Sequence, residues 1–397
     1  MLNPVIALRR TVDRGIDALP MTVGARLKRG RFRYDPSDVP PPPSMPEVPV
    51  RVLIAPSNAA AQAWSFARAL DRLDGVAARN LQITLKRDFG FPSDATIRSE
   101  LTALSAPWRR RQFAAVSRLT HVIVESGRPQ FGTMFGGDTA REIAALRERG
   151  VRVAHLAHGS ELRQPDRHRR LDEWSPFRDA DWDAVPALTV RSAAYRRLLA
   201  ETGAPVFVTT PDLLLDWPEA HWSPLVVDLD RWAAETPVLE RDRPVVAHAP
   251  TNRVVKGTDL IEPTLRALER EGLIEYRRFE GVPSSRLPEE FARADIVLDQ
   301  FRMGIYSAVS VEGMAAGRLV MAHLHEHTIS AARTASGLEP PIVSATPASL
   351  ERRLREIVAD RSTFAALAVR GPSFARAVHD GCLTASTIDR EHLRASE

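Results

Sequence analysis

Short β-branched runs alternate with polar, amphipathic stretches along the chain, the pattern of a parallel sheet with helices on both faces. Val50-Arg51-Val52-Leu53-Ile54 opens the series as a buried strand. The loop Pro56-Ser57-Asn58 follows, then a helix over 62–73 with Trp64, Ala67 and Leu70 on one face. Residues 119–124 read as a strand, Asp138 caps a helix that stops at Gly150, and 151–155 is a strand emptying into His158-Gly159-Ser160-Glu161. Residues 188–190 and 206–208 read as strands around a helix over 193–202.

A charged segment carrying Pro237, over 231–243, reads as a linker, and a second alternation begins at Val245-Val246-Ala247-His248. It continues as a helix over 259–271 with Pro263 near its start, a strand over 275–279 and a short helix over 288–293. A strand over 296–298, a helix over 309–316 stopped by Gly317 and a strand over 319–321 follow. Thr346-Pro347 has the cap-then-proline signature of a helix start, with Leu350, Leu354 and Ile357 on the apolar face. The expected organisation is an arm and spacer over 1–48, an α/β domain over 49–230, a second over 244–360, and terminal helices over 361–397 packing back toward the first domain.

Composition agrees with this division: 397 residues suit two ordinary α/β cores, and hydrophobic residues at 44% mark a soluble globular chain. No run reaches the roughly 18–20 apolar residues of a membrane helix. The start of the chain lacks the apolar core and cleavage site of a secretory signal. One cysteine, Cys382, cannot form an internal disulfide, so a cytoplasmic location is expected.

Residues 1–33 carry eight basic and two acidic groups; the whole chain is +4, so the remainder sums to about −2. The basic character belongs to the arm, which argues against a nucleic-acid-binding body. With Leu2, Val5, Ile6 and Leu8 at its start, the arm is expected to dock on an anionic membrane surface, peripherally. Pro40-Pro41-Pro42-Pro43 then makes a semi-rigid spacer.

Lysine is rare: Lys28, Lys86 and Lys256 among 54 basic residues. Lys256 therefore stands out in the loop His248-Ala249-Pro250-Thr251-Asn252-Arg253-Val254-Val255-Lys256-Gly257, which follows a strand and opens a helix. Ligands of open α/β sheets bind beyond the carboxyl ends of strands. Arg253 and Lys256, beside a helix N-terminus, suit a diphosphate there. A second stretch runs from Asp295-Ile296-Val297-Leu298-Asp299-Gln300 through Gly304-Ile305-Tyr306-Ser307 to Val311-Glu312-Gly313-Met314-Ala315-Ala316-Gly317. A carboxylate inside that apolar helix, Glu312, is costly to bury unless hydrogen-bond donors such as ribose hydroxyls meet it.

In order and spacing, the Lys256-Gly257 loop, the Glu280-Gly281 turn and the Glu312-Gly313 helix resemble the donor half of GT-B glycosyltransferases of the retaining, metal-independent family-four type. The resemblance is good over 245–325. It is weaker at Asn58-Ala59-Ala60-Ala61-Gln62-Ala63-Trp64, which is similar to an N-x-x-G-Q-x-W loop, and at His158-Gly159-Ser160. It implies two Rossmann-like domains with a cleft between them, and sugar transfer from a nucleotide-sugar co-substrate to a hydroxyl acceptor, a glycan, a lipid-linked or a small molecule. No other cofactor and no metal are implied. Arg253 and Lys256 would stabilise the leaving diphosphate, with Thr251, Asn252 and Gly257 shaping their loop. Glu312 would hold the ribose, and Glu280 and Gly281 would lie along the base. His158 would sit near the transferred sugar, and Asn58 and Gln62 would approach the phosphates.

Two positions depart from the family pattern. Gly304 stands where many members carry a second glutamate, leaving sugar contacts to backbone, Tyr306 or Ser307, and Ala61 replaces a glycine. These departures keep a degenerate, non-catalytic sugar-nucleotide-binding protein in view, beside a nucleotide-sugar epimerase on the same fold. Asp181-Trp182-Asp183 and Asp228-Leu229-Asp230 lie outside the donor loops and are assigned to structure. His323, His325 and His327 alternate without a carboxylate or cysteine at ligand spacing, so no metal site is assigned to them.

Overall fold

In β1 (Val50–Ala55), Val52, Leu53, Ile54 and Ala55 are all buried, as befits a strand covered on both faces. The computed structural model describes residues 39–84, 90–283 and 285–394, so the basic arm lies outside the described residues. β2 (Val76–Thr84), β3 (Ala95–Arg98), β4 (His121–Glu125) and β5 (Arg152–Ala157) join β1 in parallel, in the order β3-β2-β1-β4-β5. Leu53, Leu81, Val122 and Val153 meet Trp108, Ile143 and Leu146 in one core. β6 (Val206–Val208) and β7 (His221–Trp222) pair in parallel later in the chain.

The second sheet contains β8 (Val245–His248), β9 (Glu275–Arg278), β10 (Ile296–Leu298), β11 (Leu319–Ala322) and β12 (Ile342–Ser344). All pair in parallel, in the order β12-β11-β10-β8-β9. The helix Thr258–Arg270 lays Ile261, Leu265 and Leu268 on one side of this sheet, and exposed Pro263 loses a backbone bond only on the solvent face. On the other side lies the helix Ala308–Ala315. A Cβ at its Gly313 would stand 3.0 Å from Val320 and 3.1 Å from Val297, so glycine sets how closely helix and sheet approach.

The described residues form two compact units. One holds the described residues up to Ala157, Tyr195–Val206 and those from His392; the other holds those of His158–Ala194 and Phe207–Glu391. Both are Rossmann-like. Segment 158–194, read from the sequence as part of the first domain, clusters with the second unit, and its contacts there show why. Arg302 donates to the carbonyls of Trp174 and Ser175 and to Asp179, His168 bonds the Met303 carbonyl, and Phe177 packs on Met303 and Ile305. Near the end of the chain, the helix Gly371–His379 puts Phe374, Ala375 and Val378 into the core of this second unit.

Some elements differ from the sequence reading. Residues 188–190 are helical, inside Val185–Thr202; Val190 is exposed, so this β-branched pair has no sheet to enter. β2, β3 and the helix Glu326–Ser336 were not foreseen. The last αβ helix starts at Leu350, because Thr346 and Ser349 bond each other's backbone in a turn ahead of it. No helix among the described residues is long and apolar enough to cross a membrane.

Candidate functional site

In the second sheet β8 is flanked by β9 on one side and β10 on the other, so strand order reverses between β8 and β10. Loops leaving two such strands diverge and open a crevice at their carboxyl ends. His248 ends β8 opposite Leu298, the last residue of β10, and both sequence-singled loops start there.

From β8 the chain passes exposed Thr251 to Asn252, whose side chain caps the short helix Arg253–Lys256 by accepting the Val255 N–H at 3.1 Å. Gly257 ends it at φ +73, and a Cβ there would lie 2.9 Å from Arg302, so glycine is required twice over. The turn places Lys256 inward and Arg253 outward.

Lys256 is buried and directs its ammonium onto Asp299, the first residue beyond β10, and onto Ser307 Oγ at 2.8 Å. Asp299, wholly enclosed, also accepts from Ser307 N–H at 2.6 Å, Ser307 Oγ at 2.8 Å and Ser310 Oγ at 2.7 Å. Burial alone would raise the Asp299 carboxyl. The Lys256 ammonium and these hydrogen bonds outweigh burial and hold it below the usual carboxylate range. Sequence reading gave Asp299 no role; a lone aspartate directly after an apolar strand was the available signal.

Glu312 lies farther along the same helix. It is partly buried and its carboxylate makes no hydrogen bond among the described residues. Burial first, then the Asp299 charge, push it up to about 7 against the pull of Lys256 and Arg231. A carboxylate so placed is an acceptor in want of donors.

Arg253 is half-exposed and reaches Asp259, Glu262 at 3.4 Å and Glu280 at 3.1 Å. It thus ties the helix Thr258–Arg270 to the turn at Glu280. Gly281 in that turn has φ +68, and a Cβ there would meet nothing within 4 Å, so the surface is open. Thr251, Asn252, Arg253, Lys256 and Gly257 follow β8, and Ser307 and Glu312 follow β10, while Glu280 lies in the turn after β9 and joins them through Arg253.

Tyr306 does not face it. The ring is 3% exposed, its hydroxyl bonds His379 Nε2 at 3.2 Å, and it packs edge-on to Phe374. Burial drives the phenol far above its ordinary value. This corrects the expectation that Tyr306 contacts sugar: Ser307 turns toward Asp299, and its neighbour must turn into the core.

Gly304 sits at φ +65, and a Cβ would lie 2.6 Å from the His325 ring. No glutamate fits there. His325 is fastened in place, its N–H donating to the Gly304 carbonyl at 2.9 Å and its Nε2 meeting Asp172 at 3.0 Å.

In the same unit, half-buried His158 gives its backbone N–H to Glu161 Oε1 at 2.7 Å. Burial would raise the Glu161 carboxyl, but His158, that N–H and Arg191 hold it below the ordinary range. Of the acidic pairs, Asp228 caps the helix Leu229–Trp232, and Asp181 gives its backbone N–H to Asp179 in a turn.

In the first unit, Asn58 donates to Gln82 at 3.0 Å and the Pro92 carbonyl at 2.9 Å while accepting the Trp64 N–H. Gln62 is buried and reaches the Ala60 carbonyl at 3.3 Å. Both side chains build the 57–64 loop from within. Ala61 takes φ +62, the left-handed region, which explains why a glycine belongs at that place in the motif.

No sequence-family model matches the chain, and no curated protein matches it in sequence. Its fold does match solved structures. A sucrose-phosphate synthase from Thermosynechococcus elongatus is similar with a TM-score of 0.56 at 12% identity, over 85% of this chain and 96% of that one. HepE from Anabaena, solved with UDP-glucose, is similar with a TM-score of 0.52 at 11% identity, over 87% and 99%. A glycosyltransferase from Rickettsia africae is similar with a TM-score of 0.53 at 10% identity, over 87% and 99%. The fold is of the GT-B type.

Proposed function

We propose that the protein is a glycosyltransferase whose second unit binds a nucleotide-sugar donor and passes the sugar to a hydroxyl acceptor, with retention and without a divalent cation at the diphosphate. One observation carries the reading: Glu312, a partly buried carboxylate without a hydrogen-bond partner among the described residues, stands at the strand-order reversal beside Lys256. Ribose hydroxyls are the donors that would satisfy it. The likeness in fold to HepE, solved with UDP-glucose, supports the donor class.

In the reaction the bond from the anomeric carbon to the diphosphate breaks and one to the acceptor oxygen forms. The acceptor's proton leaves with the diphosphate, where negative charge builds. Lys256 and Arg253 supply positive charge in that loop, the work a metal does elsewhere. Neither acidic pair lies in a donor loop. The arm over 1–33, net +6, would hold the enzyme on an anionic membrane; loss of vesicle co-sedimentation on truncation to about residue 48 tests that part.

A second reading, a sugar-nucleotide-binding protein without turnover, has one observation in its favour: the Lys256 ammonium is already engaged by Asp299 and Ser307. Incubation with a panel of nucleotide-sugars, following release of nucleoside diphosphate, separates the two. Release that Glu312→Gln diminishes supports the transferase; binding with no release across donors and acceptors supports the second reading.

A further inference from the structure

The histidines after β11 meet a carboxylate that is distant in sequence. Asp172, 153 positions before His325, places Oδ2 3.0 Å from His325 Nε2 and 3.6 Å from His323 Nε2. One ligand atom from each residue lies within 4.8 Å of the others. A tetrahedral zinc-class ion, with bonds of about 2.0–2.2 Å, holds its ligand atoms roughly 3.3 Å apart. The two separations from the Asp172 carboxylate fall on either side of that value.

The carboxylate and the backbone that carries the histidines are also fixed in advance. Asp172 Oδ1 accepts the Trp174 N–H at 2.8 Å, leaving Oδ2 to the histidines. His323 gives its backbone N–H to the Gln300 carbonyl at 2.9 Å, and His325 gives its backbone N–H to the Gly304 carbonyl. Asp172 and His323 are buried, and His325 is 19% exposed at its side chain. Of the three, His325 also lines a hollow, with Arg167, His168, Asp216, Met303 and His327.

We propose that Asp172, His323 and His325 form a binding site for a divalent transition-metal ion of the zinc class, with one coordination position open to the hollow. Two imidazoles and one carboxylate select zinc, cobalt or nickel over magnesium and calcium, which want oxygen ligands. The ion clamps the 172–174 turn to the strand end at 323–325 and so fixes His325 over Gly304. This role is separate from the donor diphosphate and does not depend on the glycosyltransferase reading.

The test uses untagged full-length protein, analysed for metal as purified, then stripped with chelator and titrated with cobalt. One equivalent should bind at micromolar concentration with the visible absorption of a four- or five-coordinate site, zinc should displace it, and zinc but not magnesium should raise the Tm of the stripped protein. His323→Ala and Asp172→Asn should each weaken cobalt binding on the order of 100-fold or more, since even second-shell losses cost 10–100-fold. Wild-type protein that takes up no cobalt at these concentrations overturns the site, even if the variants fail to fold. So does His323→Ala that binds cobalt like wild type.

Discussion

Lys256 and Asp299 form an ion pair inside the second unit, and the carboxylate of that pair is saturated by two serines as well. Removing one partner of a buried pair strands the other. Asp299→Ala should therefore cost about 3–5 kcal/mol in urea denaturation. The sign with pH follows from the lowered Asp299 value: its contribution is present above the unfolded aspartate range near 3.8 and is lost as pH falls through the lower folded value. The variant should thus lose less stability than wild type on acidification. A loss within about 0.5 kcal/mol of zero would mean the pair is solvated in solution.

Arg253 should behave in the opposite way. Its three carboxylate partners are reached across an exposed surface, so Arg253→Ala should change stability by less than about 1 kcal/mol. If Arg253 turns to the diphosphate when donor binds, kcat/KM should fall roughly 100-fold. Unchanged kcat/KM would leave it a surface tie between the helix Thr258–Arg270 and Glu280.

Glu312 gives a pH signature. Its folded value, about 7, is above the ordinary 4.5, so the folded protein holds an extra proton between the two. The associated stability is full below about 4.5 and lost as pH rises through about 7, on the order of 3 kcal/mol in all. Nucleotide affinity should run the other way and strengthen severalfold from about pH 6 to about pH 8, as the carboxylate ionises and becomes the better acceptor. Glu312→Gln should flatten both slopes; slopes that persist in the variant would place the titration elsewhere.

Ala61 tests the backbone rather than the chemistry. At φ +62 an alanine bears left-handed strain of about 1–2 kcal/mol, part of which glycine returns as unfolded-chain entropy. Ala61→Gly should stabilise the protein by about 0.5–1 kcal/mol, measured by urea denaturation. A destabilised variant would show that the loop leaves this conformation in solution.

Local signals carried much of the fold and the core of the site. β-branched runs located β1, β4, β5, β8, β10 and β11, and Lys256-Gly257 and Glu312-Gly313 were visible because each breaks a local rule. Contacts over long separations were not visible. Asp299 gains its meaning from Lys256, 43 positions earlier, and His325 from Asp172, 153 positions earlier. Tyr306 shows the same limit: only His379 and Phe374, far down the chain, decide that its ring faces the core. Residues 188–190 failed for a different reason, since helix and strand are indistinguishable in a run of only three residues.

Calorimetric titration of uridine, guanosine and adenosine diphosphates into wild-type protein and Glu312→Gln tests the central claim most directly. One nucleotide should bind wild type at micromolar concentration and bind the variant at least about tenfold more weakly, the order expected when a charge-assisted hydrogen bond is lost, while the variant's Tm at about pH 7 is no lower than that of wild type. Absence of heat with all three at millimolar concentration, or equal affinity in the variant, would contradict a donor site built on Glu312.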